Sequence, residues 1–103
     1  MQYLLVALDH EGEDVIERRE SVRLKHLDFV ENVLGVGEKC LYGAALLNEN
    51  GDKVGSMEIL EFDTRAELDE RIKNDQFMVN NVWKDVMVYP CKVGPLFEHL
   101  YDK

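Results

Sequence analysis

Long apolar runs are missing from this chain, and nothing approaches the roughly 20 consecutive apolar residues that a membrane-spanning helix needs. The amino terminus, MQYLLVALDHEGEDV, has no basic segment, and its apolar run from Tyr3 to Leu8 is too short for a secretory signal. A cytoplasmic location with no membrane partner is expected. Cysteine is scarce, with 2 in 103 residues. Cys40 and Cys91 stand far apart, outside any Cys-x-x-Cys or Cys/His cluster, which points to two reduced, structural thiols. Positive charge is also short, since 21 Asp and Glu against 12 Lys and Arg give a formal net charge of −9. That balance repels phosphate backbones and argues against a nucleic-acid partner. Motifs for nucleotide binding and serine hydrolysis are absent: no Gly-x-Gly-x-x-Gly, Gly-x-x-x-x-Gly-Lys-Ser/Thr or Gly-x-Ser-x-Gly occurs. Gly35 and Gly37 follow a helical pattern rather than a strand. His10, His26 and His99 lack metal-ligand spacing, so no metal and no cofactor is expected.

What is present suits one globular domain, with 46% hydrophobic and 32% charged residues. We place that domain at residues 1–95, followed by a tail at 96–103. QYLLVALD (2–9) reads as a buried strand. From Asp14 the period turns helical through Val15, Val22, Leu27, Val30, Val33 and Leu34, with Gly35 and Gly37 as a stop. An apolar segment, 39–47, then breaks at Asn48-Glu49-Asn50-Gly51-Asp52. Asn-Gly tolerates positive φ and signals a hairpin to a return strand over 54–62. Thr64 with Glu67 forms a capping box for a helix reaching about Lys73. A turn at 74–77 leads into a short helical piece, and a last strand spans 83–93, where Pro90 marks an edge, a bulge or a strand end. The tail has room for a short helical turn.

The order β-α-β-β-α-β predicts an α+β, ferredoxin-like fold, with a four-stranded antiparallel sheet and helices on one face. Apolar residues on both sides of GSMEILEF, Leu60 and Phe62 among them, leave the other face in need of cover. A homodimer through that bare face is expected.

Two features carry chemistry. Arg18, Arg19, Arg23, Lys25 and His26 concentrate positive charge in an acidic chain. Arg19, Arg23 and His26 are spaced i, i+4, i+7 and share a helix face beside the core stripe. Such a face can bind a carboxylate, phosphate or phenolate next to a titratable base. It can equally be a solvated face whose arginines pair with Glu17 and Glu20. Asp75, at the turn after a helix, either caps the next short helix or orients a histidine. His10 and His99 read as surface residues, and Tyr42, Phe77 and Trp83 as core aromatics or pocket walls.

Four stretches together resemble the YciI-like (YCII-related) family of small α+β proteins. They are ERRESVRLKHLDFV (17–30), with its Arg-x-x-x-Arg-x-x-His spacing; ALLNENGDKVGSMEILEF (45–62); NDQF (74–77); and VMVYPCKV (86–93). The resemblance implies a dimeric α/β barrel with sheets packed face to face. It implies a site built on a His–Asp pair, here His26 and Asp75, with Arg19, Arg23 and Ser56 lining the same pocket. It further implies a cofactor-independent lyase, isomerase or dehydrochlorinase acting on a small anionic, cyclic or aromatic molecule. The alternative is a non-catalytic binding or interaction protein of the same fold with a vestigial pocket. The chain departs from the family pattern at Ala44-Ala45, where Gly-Pro is common, and at Gln76, where proline follows the aspartate.

Overall fold

QYLLVALD forms β1 (Gln2–Asp9) because alternate side chains find a dry face: Tyr3, Leu5 and Ala7 are buried, and Leu4 and Val6 are half-buried on the opposite side. The structure, a computed structural model, describes residues 1–29 and 40–100, with side chains only to residue 98 at the carboxyl end. After β1, Gly12 at φ 121° makes a turn in the left-handed region that favours glycine, and α1 (Glu13–Asp28) begins. Glu13 and Asp14 in its first turn suit the positive end of the helix dipole. The expected continuation through Val30, Val33 and Leu34, and the stop at Gly35 and Gly37, lie outside the described residues. Leu27 departs from the expected core stripe and is 43% exposed.

The hairpin joins β2 (Cys40–Leu47) to β3 (Lys53–Glu61). Of the Asn50-Gly51 pair only Gly51 takes positive φ, at 85°. The turn is one residue longer than a tight Asn-Gly turn because Asn48 shapes it. Asn48 Oδ1 accepts the Asn50 and Asp52 N–H groups at 2.9 and 3.0 Å, and the Asn48 carbonyl accepts Gly51 N–H at 3.0 Å. Thr64 caps α2 (Arg65–Asn74) by accepting Glu67 N–H at 3.2 Å. A short α3 (Gln76–Val79) and β4 (Trp83–Cys91) follow, then a 3-10 turn over Pro95–Leu100.

The strands align as β2-β3-β1-β4, all antiparallel, which is the ferredoxin-like arrangement. β4 is an edge, so Pro90, opposite Tyr3, needs no second ladder partner. Register decides the site. Tyr3, Leu5 and Ala7 stand opposite Leu60, Glu58 and Ser56, so β3 turns a carboxylate and a hydroxyl toward the helices. Leu5, Leu60, Leu68 and Val82 fill the core without exposure, each such side chain contributing about 1.5–3 kcal/mol. Gly55 permits this close packing, since a Cβ there would sit 2.6 Å from the Ala7 carbonyl oxygen. The opposite face carries Leu4, Val6, Met57 and Ile59, half-buried, beside exposed Leu8, Tyr42 and Tyr89. No described helix is long and apolar enough to cross a membrane.

Candidate active site

The inward stripe of α1 is Val15, Arg19, Val22 and His26, at i, i+4, i+7 and i+11, so two of the basic residues lie in the core stripe rather than beside it. Arg19 is 6% exposed. It pairs with neither Glu17 nor Glu20; its Nη1 donates to both Asp9 oxygens, at 3.0 and 2.9 Å. Burial pushes the Asp9 carboxyl above its usual range, and the Arg19 charge pulls it back. Arg18 has a docking role: its Nε and Nη2 donate to the Asn80 and Asn81 carbonyls at 3.0 and 2.8 Å, fastening α1 to the end of α3. Arg23 is exposed and has no hydrogen-bond or ion-pair partner among the described residues.

His26 and Asp75 come together across 49 positions, with Nδ1 to Oδ1 at 2.9 Å. Asp75 is fully buried, and the same Oδ1 accepts Phe77 N–H at 2.8 Å, so capping α3 and meeting the histidine are one arrangement. An ionised carboxylate can only accept, which assigns the shared proton to Nδ1 and leaves Nε2 with its lone pair in the neutral ring. Phe77 stacks on the imidazole at a centroid distance of 4.1 Å and 14°, which fixes the ring plane. Trp83 meets it edge-on at 6.2 Å.

Ser56 is buried between two donors. Arg19 Nη2 reaches its Oγ at 2.7 Å and Trp83 Nε1 at 3.2 Å. Neither donor can accept, so the serine hydroxyl hydrogen is left to point elsewhere. Arg19 also lies over the Phe77 ring at 4.5 Å, tying the serine, the arginine and the stacked pair into one unit.

Glu58 and Arg71 are two further buried residues of the site, and neither stands out in the sequence. Arg71 donates to Glu58 through both Nη atoms, at 3.3 and 2.6 Å, and its Nη1 also lies 3.1 Å from Asp75 Oδ2. That last pair meets an ion-pair distance but not hydrogen-bond alignment, so Asp75 Oδ2 and Arg71 Nε remain without hydrogen-bond partners. Cys40 Sγ donates to Glu58 at 3.5 Å, and burial followed by the Glu58 charge pushes its thiol up to about 12. It stays protonated and unreactive at neutral pH. Donor atoms of His26, Glu58 and Asp75 lie within 4.8 Å of one another, as for a metal. The Arg71 guanidinium is bonded to Glu58 and lies at ion-pair distance from Asp75, and so already supplies the positive charge there; this donor set does not suit a cation.

A cavity of about 360 Å³ opens over these groups. His26, Phe77, Ser56 and Glu58 line it, with Arg19, Arg23 and Lys53 as its cations, and Tyr42 and Ala44-Ala45 as wall. Trp83 is not part of that lining; it packs in the core behind it.

In comparison with solved structures, the chain is similar to the 5-chloro-2-hydroxyhydroquinone dehydrochlorinase of Burkholderia phenoliruptrix AC1100, in complex with 2,5-dihydroxybenzoquinone. The TM-score is 0.78 at 23% identity, covering 91% of this chain and 96% of that one. A conserved protein from Methanosarcina mazei Go1 follows, at TM-score 0.56 and 16% identity, covering 89% and 94%. An antibiotic biosynthesis monooxygenase gives 0.53 at 16% identity, covering 92% and 100%. At these identities the likeness speaks for the fold. Comparison with curated protein sequences finds no match. The YCII-related domain matches residues 1–92.

Proposed function

The chain belongs to the YCII-related domain family, and on that premise we propose that it is a cytoplasmic, cofactor-independent enzyme. It acts by His–Asp acid/base chemistry on a small anionic, cyclic or aromatic substrate. The observation that carries this reading is the His26 Nδ1–Asp75 Oδ1 bond of 2.9 Å at the wall of a cavity that an exposed Arg23 also lines. Asp75 holds the tautomer, and His26 Nε2 takes a proton from the substrate. Ser56 donates its hydroxyl hydrogen to a substrate oxygen, and Arg19, itself paired with Asp9, anchors Ser56. Arg23, in its exposed position, meets the substrate's negative charge. Phe77, at the cavity wall, favours a flat ring.

The Burkholderia protein is described as a dehydrochlorinase of a chlorinated hydroxyhydroquinone. On a substrate of that class, a ring hydroxyl gives its proton to Nε2 and the electron pair moves into the ring, whose chlorine-bearing carbon takes that proton from the imidazolium. A second hydroxyl then gives its proton to Nε2, and its electron pair, moving into the ring, expels chloride. The ring ends as a quinone with no external oxidant, because the departing chloride carries off the bonding pair. The test is chloride release from 5-chloro-2-hydroxyhydroquinone by the wild type and His26→Gln. We expect the variant to lose about 10²–10⁴ in rate while still binding 2,5-dihydroxybenzoquinone. An unchanged rate sinks the assignment of His26. A non-catalytic binding protein is the second reading, favoured by the Arg71 charge drawing on Asp75; it expects quinone binding with no chloride release even from wild type.

The same proposal includes a homodimer through the bare sheet face, where Leu4, Val6, Met57 and Ile59 make an apolar centre. Sedimentation should give twice the chain mass of 11.9 kDa, and Ile59→Glu should return the single-chain mass. A wild-type monomer at micromolar concentration overturns it.

A further inference from the structure

Arg71 sits between two buried carboxylates and divides itself unequally. Its Nη pair is spent on Glu58 at 3.3 and 2.6 Å, and toward Asp75 it offers only a misaligned approach at 3.1 Å. A guanidinium freed of Glu58 would have its full fork available for Asp75, four positions along α2 and its cap. Asp75 would then be held as half of an arginine pair, with less negative charge left for the histidine.

We propose that Glu58 is a positioning residue: by occupying Arg71 it keeps Asp75 available to His26, and so sets how readily the imidazole takes a proton. The inference rests on the reading of His26 as the base. The charge inventory around the ring supports it. Two carboxylates and one guanidinium leave a single net negative charge, which a protonated His26 cancels. From α1, Arg19 is matched by Asp9 of β1, and Arg23 lies exposed at the cavity. From β2, Cys40 is a neutral thiol bonded to Glu58. Glu20 of α1 and Lys53 of β3 line the same cavity as exposed groups, so Glu58 is a buried carboxylate that adds negative charge without bonding to the ring. When His26 accepts the substrate proton it completes a neutral buried quartet, and no solvent has to rearrange to receive the charge.

The test needs no substrate. In the full-length protein, ¹⁵N NMR of the imidazole follows the His26 titration and its Nδ1–H bond. In Glu58→Gln the midpoint should move down by about one to two pH units, as for removing a charge about 5 Å away in a partly buried site. The Nδ1 proton signal should weaken together with it. The double variant Glu58→Gln/Arg71→Met, which restores the net charge and removes the competing guanidinium, should bring both signals back toward wild type. It also serves if the single variant folds poorly. A midpoint and proton signal unmoved in Glu58→Gln, or unrestored in the double variant, overturn the role of Glu58. Either result leaves the chloride-release test of His26 intact, so the two ideas fail separately.

Discussion

Asp75→Asn is expected to lower turnover of a chlorinated hydroxyhydroquinone by about 10²–10⁴, while leaving most of the fold in place. Asparagine keeps an oxygen for the Phe77 N–H and so can still cap α3. It has no charge to hold Nδ1–H, and its amide can present a hydrogen where the imidazole expects an acceptor. The ring then loses its fixed tautomer. Asp75→Ala removes both functions, and the lost cap adds about 1 kcal/mol of destabilisation. Steady-state kinetics with thermal unfolding separates the two contributions. Turnover should collapse in both variants, whereas the melting point should fall further in alanine. Wild-type turnover in Asp75→Asn would remove the aspartate from the mechanism and leave it as a cap alone.

Arg71→Ala should cost about 3–5 kcal/mol, the range for removing one partner of a buried ion pair. Total stability for a small domain is only about 5–15 kcal/mol, so this change alone brings the chain near its unfolding threshold. The side chain is 1% exposed and faces Glu58 and Asp75, which the truncation strands in a dry environment. Arg65, in the same helix, is the control. It pairs with Asp69 at 2.9 Å, but the two side chains are 52% and 59% exposed. Water screens such a pair, and Arg65→Ala should change stability by about 0–1 kcal/mol. Urea unfolding of both variants decides the matter. Equal midpoints would mean that the buried carboxylates are not held at the energetic cost their burial implies.

Much of the architecture was legible because short-range rules govern it. The alternation of QYLLVALD, the Asn-Gly break and the Thr64–Glu67 box each depend on residues a few positions apart. The stop of the first helix at Gly35 and Gly37 falls outside the described residues. The spacing of Arg19 and His26 was visible, but not that they share the stripe of Val15 and Val22; an arginine inside a core stripe looks like an error until Asp9 arrives from β1 to meet it. Glu58 and Arg71 were silent for the same reason. A glutamate in an apolar strand and an arginine in the last turn of a charged helix both read as solvated. Only the register placing Glu58 opposite Leu5 turns it inward, and that register is a tertiary fact. Asp75 was legible from its position as a cap or as an aspartate that orients a histidine, and its pairing with His26 only by resemblance. Local sequence cannot say that one oxygen does both.

The chain has a single tryptophan, and it stands edge-on to His26 with its indole N–H on Ser56. Indole emission responds to a protonated imidazole nearby and is quenched by quinones. The molecule thus contains its own optical reporter, one ring removed from the cavity and needing no label. A library of small phenolic and carboxylic compounds can be screened against the unmodified protein by selective excitation of the indole, so that the emission read comes from one known position.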